Sequence, residues 1–250
     1  LDVGPGDEVI TPSLTFVATS NVVLYQNAEV RFADIIGDEE LNISPEDIEN
    51  AITSKTKAII VVHYGGYPCR MPEIVEIARK HGLALIEDDA HAPGASLEGR
   101  ALGTWGDVGC FSFYANKLIT TGEGGMVLTN DPQYAEKARS LRNLCFRPER
   151  RFYHTELGFN FRLTNLQAAL GVAQLERMDE IVARKRLMGR TYTRLLKGIE
   201  GLELPPLEPW ARSVYWMYGI LVDASYGSRD DLMRNLREKG VETRAFFCPM

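Results

Sequence analysis

Two short stretches of this chain bring together residue types that can hold and work an aldehyde cofactor. The first is Leu83-Ala84-Leu85-Ile86-Glu87-Asp88-Asp89-Ala90-His91, an apolar run that ends in carboxylates and an imidazole. The second is Phe111-Ser112-Phe113-Tyr114-Ala115-Asn116-Lys117, followed by the loop Leu118-Ile119-Thr120-Thr121-Gly122-Glu123-Gly124-Gly125. A lysine just past an apolar strand, entering a Thr/Gly-rich loop, is well placed to carry an aldehyde as a Schiff base. A carboxylate at an earlier strand end can keep a pyridine nitrogen protonated, so that the ring draws electrons from the reacting carbon. Lys117 and Asp88 are therefore the expected pair for pyridoxal 5'-phosphate. His91 could reach the ring's phenolic oxygen, or be a satisfied buried histidine. Ser112 can bond the phosphate, and Phe16 offers a flat face for stacking. Asp89 and His63 are expected to be structural, and Glu123 to brace the glycine loop.

The elements that must position these groups follow from local pattern. Glu8-Val9-Ile10-Thr11 reads as a strand after the turn Gly4-Pro5-Gly6-Asp7. Thr15 to Tyr25 reads as a helix, and Glu29 to Ala33 alternates like a strand. Ser44-Pro45-Glu46-Asp47 is a helix start. Lys57 to Val62 is an apolar strand of the kind buried on both faces of a parallel sheet. Met71 to His81 has helical spacing and is closed by Gly82. Val108 to Phe113 and Gly125 to Thr129 flank the Lys117 loop, and Asp131 caps a helix that begins with Pro132. Asn143 to Phe161 reads as a long functional loop rich in Arg and aromatics. Thr164 to Leu196 reads as one long helix. After Pro205-Pro206 the pattern changes to strand (Val214 to Val222), helix (Arg229 to Lys239) and strand (Glu242 to Phe247). The expectation is an α/β chain with a mixed, mostly parallel sheet in a large domain over residues 1–200. A truncated small α+β domain follows over residues 201–250.

Composition narrows the function classes. The chain has 250 residues, 45% hydrophobic and 25% charged, enough for a sizeable core. A net charge of -6 without a basic cluster argues against nucleic acid and anionic membrane as partners. Cys69, Cys110, Cys145 and Cys248 are scattered without CxxC spacing, so no metal cluster or disulfide framework is expected. Reduced thiols fit a cytoplasmic location. Arg142, Arg147, Arg150 and Arg151 could hold a nucleotide diphosphate or form a solvated basic loop.

Four ordered motifs carry a family resemblance: Glu87-Asp88-Asp89-Ala90-His91, Ser112 to Lys117, Gly122-Glu123-Gly124-Gly125, and Gly158-Phe159-Asn160-Phe161-Arg162-Leu163-Thr164-Asn165. Together they resemble the DegT/DnrJ/EryC1/StrS sugar aminotransferases along nearly the whole chain. The resemblance implies a fold type I pyridoxal phosphate enzyme, dimeric, with each active site shared between subunits. Lys117, Asp88, His91 and Ser112 fall on cofactor positions of the family. Asn160 falls on the position that reaches the phosphate from the neighbouring subunit, and Arg162 lies on the same shared wall, toward substrate. The implied reaction moves an amino group from an amino-acid donor, L-glutamate, to a nucleotide-linked 4-keto-6-deoxy sugar. A GDP-linked sugar is favoured, with a product such as perosamine. A dehydrase relative would carry His in place of Lys117. The family's upstream Gly-Thr/Ser phosphate turn and its C-terminal sugar-contacting segment would lie outside Leu1 and Met250, so both ends are read as cut.

Overall fold

A computed structural model describes every residue except Pro148 and Thr155. The expected loop from Asn143 to Phe161 contains both, and at those two positions it lies outside the described residues. The main sheet has six strands: β1 Glu8–Pro12, β2 Glu29–Ala33, β3 Thr56–Val62, β4 Ala84–Asp88, β5 Val108–Ser112 and β6 Gly125–Leu128. Across the sheet they lie in the order β6-β5-β4-β3-β1-β2. All neighbours pair parallel except β6, which runs antiparallel to β5. The mixed, mostly parallel sheet is as expected. Residues 58–62 of β3 are all buried, because helices and loops cover both faces of the sheet there. A large apolar cluster around Ile10, Ile59, Val61, Met71, Ile74 and Leu85 fills one side, and a smaller one around Val9, Val23, Ala58 and Ile60 fills the other.

Seven α-helices stand among the described residues: α1 Ala18–Leu24, α2 Pro45–Ala51, α3 Met71–His81, α4 Pro132–Arg142, α5 Asn165–Leu175, α6 Met178–Leu196 and α7 Arg229–Glu238. Their ends obey the expected capping chemistry. The Ser44 hydroxyl accepts from the Asp47 N–H, and the Asp131 carboxylate accepts from the Gln133 and Tyr134 N–H groups. Gly82 closes α3 in the left-handed conformation, at φ 65°.

Three expectations need correction. α1 starts at Ala18, three residues later than read; Thr15 stays outside it and pairs its hydroxyl at 2.8 Å with that of Thr19 in the helix's first turn. The long helix from Thr164 breaks between α5 and α6, with Arg177 outside helical geometry. The break lets α5 brace the Lys117 loop while α6 turns into the core, where Val182 packs and Gly189 lies against the Tyr215 ring. A side chain at Gly189 would meet that ring at 2.6 Å. After residue 200, Val214 to Val222 shrinks to Leu221–Val222, paired with Leu202–Glu203, and Glu242 to Phe247 forms no strand. The apolar residues in both stretches pack onto the large sheet's loops instead of extending a ladder.

Candidate active site

Parallel strands put their carboxyl ends on one edge, where open α/β sheets bind ligands. Asp88 ends β4 there. Its Oδ1 accepts from the Ala90 N–H at 3.0 Å, and its Oδ2 from the Thr19 hydroxyl at 3.3 Å. Each oxygen keeps a free lone pair. Burial raises the carboxyl above its usual range, against those two donors and the nearby Lys117 charge. A cation placed over it would reverse that shift, which suits a protonated ring nitrogen.

Lys117 lies one turn past β5, with its N–H on the Tyr114 carbonyl at 3.0 Å. Its ammonium sits 4.3 Å from the centre of the Trp216 ring. Burial lowers its pKa; Asp88 opposes the shift and Arg244 adds to it. A half-buried amine eased toward its neutral form is suited to nucleophilic and proton-transfer work. The loop behind it is fixed by α5. Gln174 both accepts from the Thr120 N–H (3.0 Å) and donates to the Thr120 carbonyl (2.6 Å), and Gln167 donates to the Glu123 carbonyl at 3.1 Å. Glu123 thus takes part in bracing this loop through its backbone carbonyl, while its side chain is exposed.

His91 is buried and lies flat on Trp216, with ring centres 3.9 Å apart and planes 8° from parallel. Burial, then the Lys117 and Arg244 charges, push its pKa down to about 3, so it is neutral near pH 7. Its Nδ1 is buried without a hydrogen-bond partner among the described residues. An orphaned polar atom of this kind calls for a partner from outside the chain. A polar substituent on a bound ring would satisfy it. The residues present therefore fit pyridoxal phosphate.

Lys117, Asp88 and His91 come together as expected. Ser112 is half-buried at the end of β5, its hydroxyl accepting from the Tyr114 N–H at 3.3 Å. Phe16 is 56% exposed and tilts against Phe247 at 5.7 Å, leaving ring surface free. Asn160 and Arg162 are exposed and bound to each other, the guanidinium donating to Asn160 Oδ1 at 3.0 and 3.2 Å. No hydrogen bond or ion pair joins them to Lys117, Asp88 or His91 within the chain.

Three contributors were missed in the sequence. Thr19 donates to Asp88, Trp216 walls both His91 and Lys117, and Phe247 touches Phe16, Tyr64 and His91. Trp216 is also tied to the loop by its indole N–H on the Asn116 carbonyl at 2.9 Å. The signal was present in the aromatic runs Tyr215-Trp216 and Phe246-Phe247, which read as strand residues. Tyr215 has φ 48°, an uncommon conformation for a bulky residue.

Beneath the site His63, Glu87 and Asp89 form a buried cluster. His63 Nδ1 accepts from the Cys69 N–H at 3.0 Å, which leaves the proton on Nε2, facing Glu87 at 3.2 Å. Glu87 also accepts from the N–H groups of Gly103, Trp105 and Gly106. Burial acts to raise its pKa, but His63 and these N–H groups outweigh it and hold the carboxyl below its usual range. The His63 nitrogens and the Glu87 oxygens are thus committed, while Asp89 faces His63 Nε2 at 3.6 Å without a hydrogen bond; these contacts fit the structural role expected of His63.

The whole chain, residues 1–250, matches the DegT/DnrJ/EryC1/StrS aminotransferase family. The chain belongs to that family. This aminotransferase is 43% identical to the GDP-perosamine synthase of Caulobacter vibrioides over 252 positions, covering 100% of the chain and 68% of that relative. It is 40% identical to the GDP-perosamine synthase of Escherichia coli O157:H7, again over 100% of the chain and 68% of the relative. The crystal structure of the aminotransferase TlmJ from Streptoalloteichus hindustanus superposes with a TM-score of 0.93 at 38% identity, covering 99% of this chain and 67% of that one. The aminotransferase uses pyridoxal 5'-phosphate.

Proposed function

We propose that this aminotransferase converts a GDP-linked 4-keto-6-deoxy sugar, GDP-4-keto-6-deoxymannose, to GDP-perosamine, with L-glutamate as amino donor and 2-oxoglutarate as the leaving product. The observation that carries the proposal is the identity of 40–43% along the full chain to two GDP-perosamine synthases. Pyridoxal phosphate, when bound, supplies the aldehyde that accepts an amino group and the ring that draws electrons from the carbon attached to it.

The chain's own groups divide the remaining work. Asp88 holds a proton on the ring nitrogen, since a carboxylate raised by burial gains most from a fixed cation. Lys117 Nζ, eased toward neutrality, takes a proton from the donor's α-carbon and later returns one at the sugar's C4. His91, neutral and stacked on Trp216, orients the ring through its free Nδ1. Trp216, Phe16 and Phe247 keep water from the reacting carbon. Ser112 takes the phosphate within its own subunit.

The reading extends to a homodimer in which Asn160 reaches the partner's cofactor phosphate and Arg162 faces its substrate. Exposed apolar surface supports it: Phe161 is 72% and Leu166 81% exposed, and Met126, Val127 and Leu128 of the edge strand β6 are exposed as well. No helix among the described residues is long and apolar enough to cross a membrane. We place the enzyme in the cytoplasm, supplying an amino sugar to surface polysaccharide such as O-antigen. The test is a mass-spectrometric assay of the purified protein with GDP-, UDP- and dTDP-linked keto sugars and glutamate. Conversion of the GDP-linked 4-keto sugar above the others is expected. Preference for a UDP- or dTDP-linked substrate would defeat the assignment.

A further inference from the structure

A cavity of about 620 Å³ runs from Tyr64 and Trp216 to the helix α7, and Trp216, which lines it, also carries Lys117 on its ring. Three cations line it: Lys185, Arg229 and Arg244. Two are committed. Lys185 Nζ donates to the Trp216 carbonyl at 3.0 Å, and Arg229 is paired with Asp230 at 2.7 Å. Arg244 differs. Its guanidinium lies 5.4 Å above the Phe247 ring, and no carboxylate among the described residues forms an ion pair or hydrogen bond with it. The acids on the same lining, Asp38, Glu39, Glu203 and Glu242, leave it unpaired. Phe247, on which it rests, also touches Phe16 and His91, so the charge stands on the reacting side of the cavity. Lys117, His91 and Tyr64 all feel it.

Transamination brings two anions to one site in turn. The amino acid carries carboxylates, and the nucleotide sugar carries a diphosphate. We infer that Arg244 is the anion anchor for both, binding a donor carboxylate in one half-reaction and the sugar nucleotide's diphosphate in the other. This rests on the function proposed above. A guanidinium fork suits the role, since it matches carboxylate and phosphate oxygens alike and stays charged throughout. Its place on an aromatic ring fixes the fork without using up its donors. The same charge opposes the protonated form of Lys117, and a bound anion would offset that effect.

The test is calorimetric titration of the cofactor-loaded enzyme, separately with GDP and with glutarate, a dicarboxylate that cannot donate an amino group. Arg244→Gln should weaken both ligands about tenfold to a hundredfold, as expected for loss of a charge-assisted pair. Arg244→Lys should fall between, keeping the charge and losing the fork. In steady state KM should rise for both substrates, with kcat changed less. Unchanged binding of both ligands, or weakening of only one, would overturn the shared role. A wild-type protein that binds glutarate but no GDP contradicts the nucleotide-sugar reading and the shared role with it. Wild-type binding of both that survives Arg244→Gln overturns the Arg244 inference alone.

Discussion

The two sides of this molecule that could meet a cofactor are built in opposite ways. The strand-end wall around Asp88 is buried and held largely from within the chain: Glu87 takes four donors, Thr19 and Ala90 hold Asp88, and Trp216 closes over His91. The loop from Asn143 to Arg162 is mostly exposed. Its rings pack chiefly on one another, Phe159 stacking on Phe161 at 4.9 Å and Phe146 meeting Phe152 edge-on at 5.5 Å. A wall of the first kind can do its work inside one chain. Surface of the second kind is explained by something that covers it. The contrast separates the residues that we propose act on their own subunit's cofactor from those that we propose act on the partner's.

The sharpest way to break the contrast is at Lys117. Lys117→Ala should abolish turnover, because it removes the amine that lies 4.3 Å from the centre of the Trp216 ring, the ring on which His91 stacks. Borohydride treatment of the wild type should fix the cofactor on the peptide that contains Lys117. Labelling of a different lysine would remove Lys117 from the centre of the site.

Asp88→Asn comes next. It keeps the acceptor for one donor but removes the charge, and turnover should fall by at least about a hundredfold. The cofactor-free protein should respond in the opposite direction. Asp88 has a raised pKa in the folded chain, so the wild type gives up stability as pH rises past the ordinary aspartate range. Asn escapes that loss. At pH 7 the cofactor-free variant should melt about a few degrees above the wild type, read by calorimetry. A variant that is both active and unchanged in melting would show that the carboxylate faces no ring nitrogen.

The exposed side is tested by mixing. Asn160→Ala should be impaired and Lys117→Ala inactive. If Asn160 serves the partner's pocket, a mixed dimer collects both lesions in one pocket and leaves the other intact. After full exchange in a 1:1 mixture, about a quarter of all pockets should be whole, and activity should recover to roughly that fraction. Recovery no greater than the Asn160→Ala share alone, after exchange is verified by mass, would return Asn160 to its own subunit or to no site at all.

How far the sequence carried these distinctions depends on how local their causes are. β3, α3 and the caps at Ser44, Asp131 and Gly82 were readable because their patterns lie within a few residues. Asp88 and Lys117 were readable because strand ends are. The break at Arg177 was not, since no Gly or Pro marks it and its cause is the packing of α6 against Tyr215 and Gly94. Trp216 and Phe247 were misread for a related reason. Their apolar neighbours mimic a strand, while their place is set by His91, Tyr64 and Asn116, residues 100 or more positions away.

The smallest expected effect sharpens the account of the buried wall. Asp89 lies beside Asp88 and is fully buried, and neither of its oxygens has a hydrogen-bond partner among the described residues. Burial, then the charges of Glu87 and Asp88, hold its carboxyl well above the usual range. That shift favours the protonated form, which is close in shape and charge to an amide. Asp89→Asn should leave turnover within about twofold and stability within about 1 kcal/mol near the bottom of the pH range. The sign at higher pH follows from the raised pKa. The unfolded chain releases this proton near the ordinary aspartate value while the folded chain keeps it, so the wild type loses stability as pH rises from there toward the folded pKa. The variant carries no such proton. Its melting temperature should gain on that of the wild type across that window, read by calorimetry from acid to neutral pH. A variant that loses ground with rising pH would mean that Asp89 is ionised and held by a partner, and the wall at β4 would carry one more charge than its geometry can satisfy.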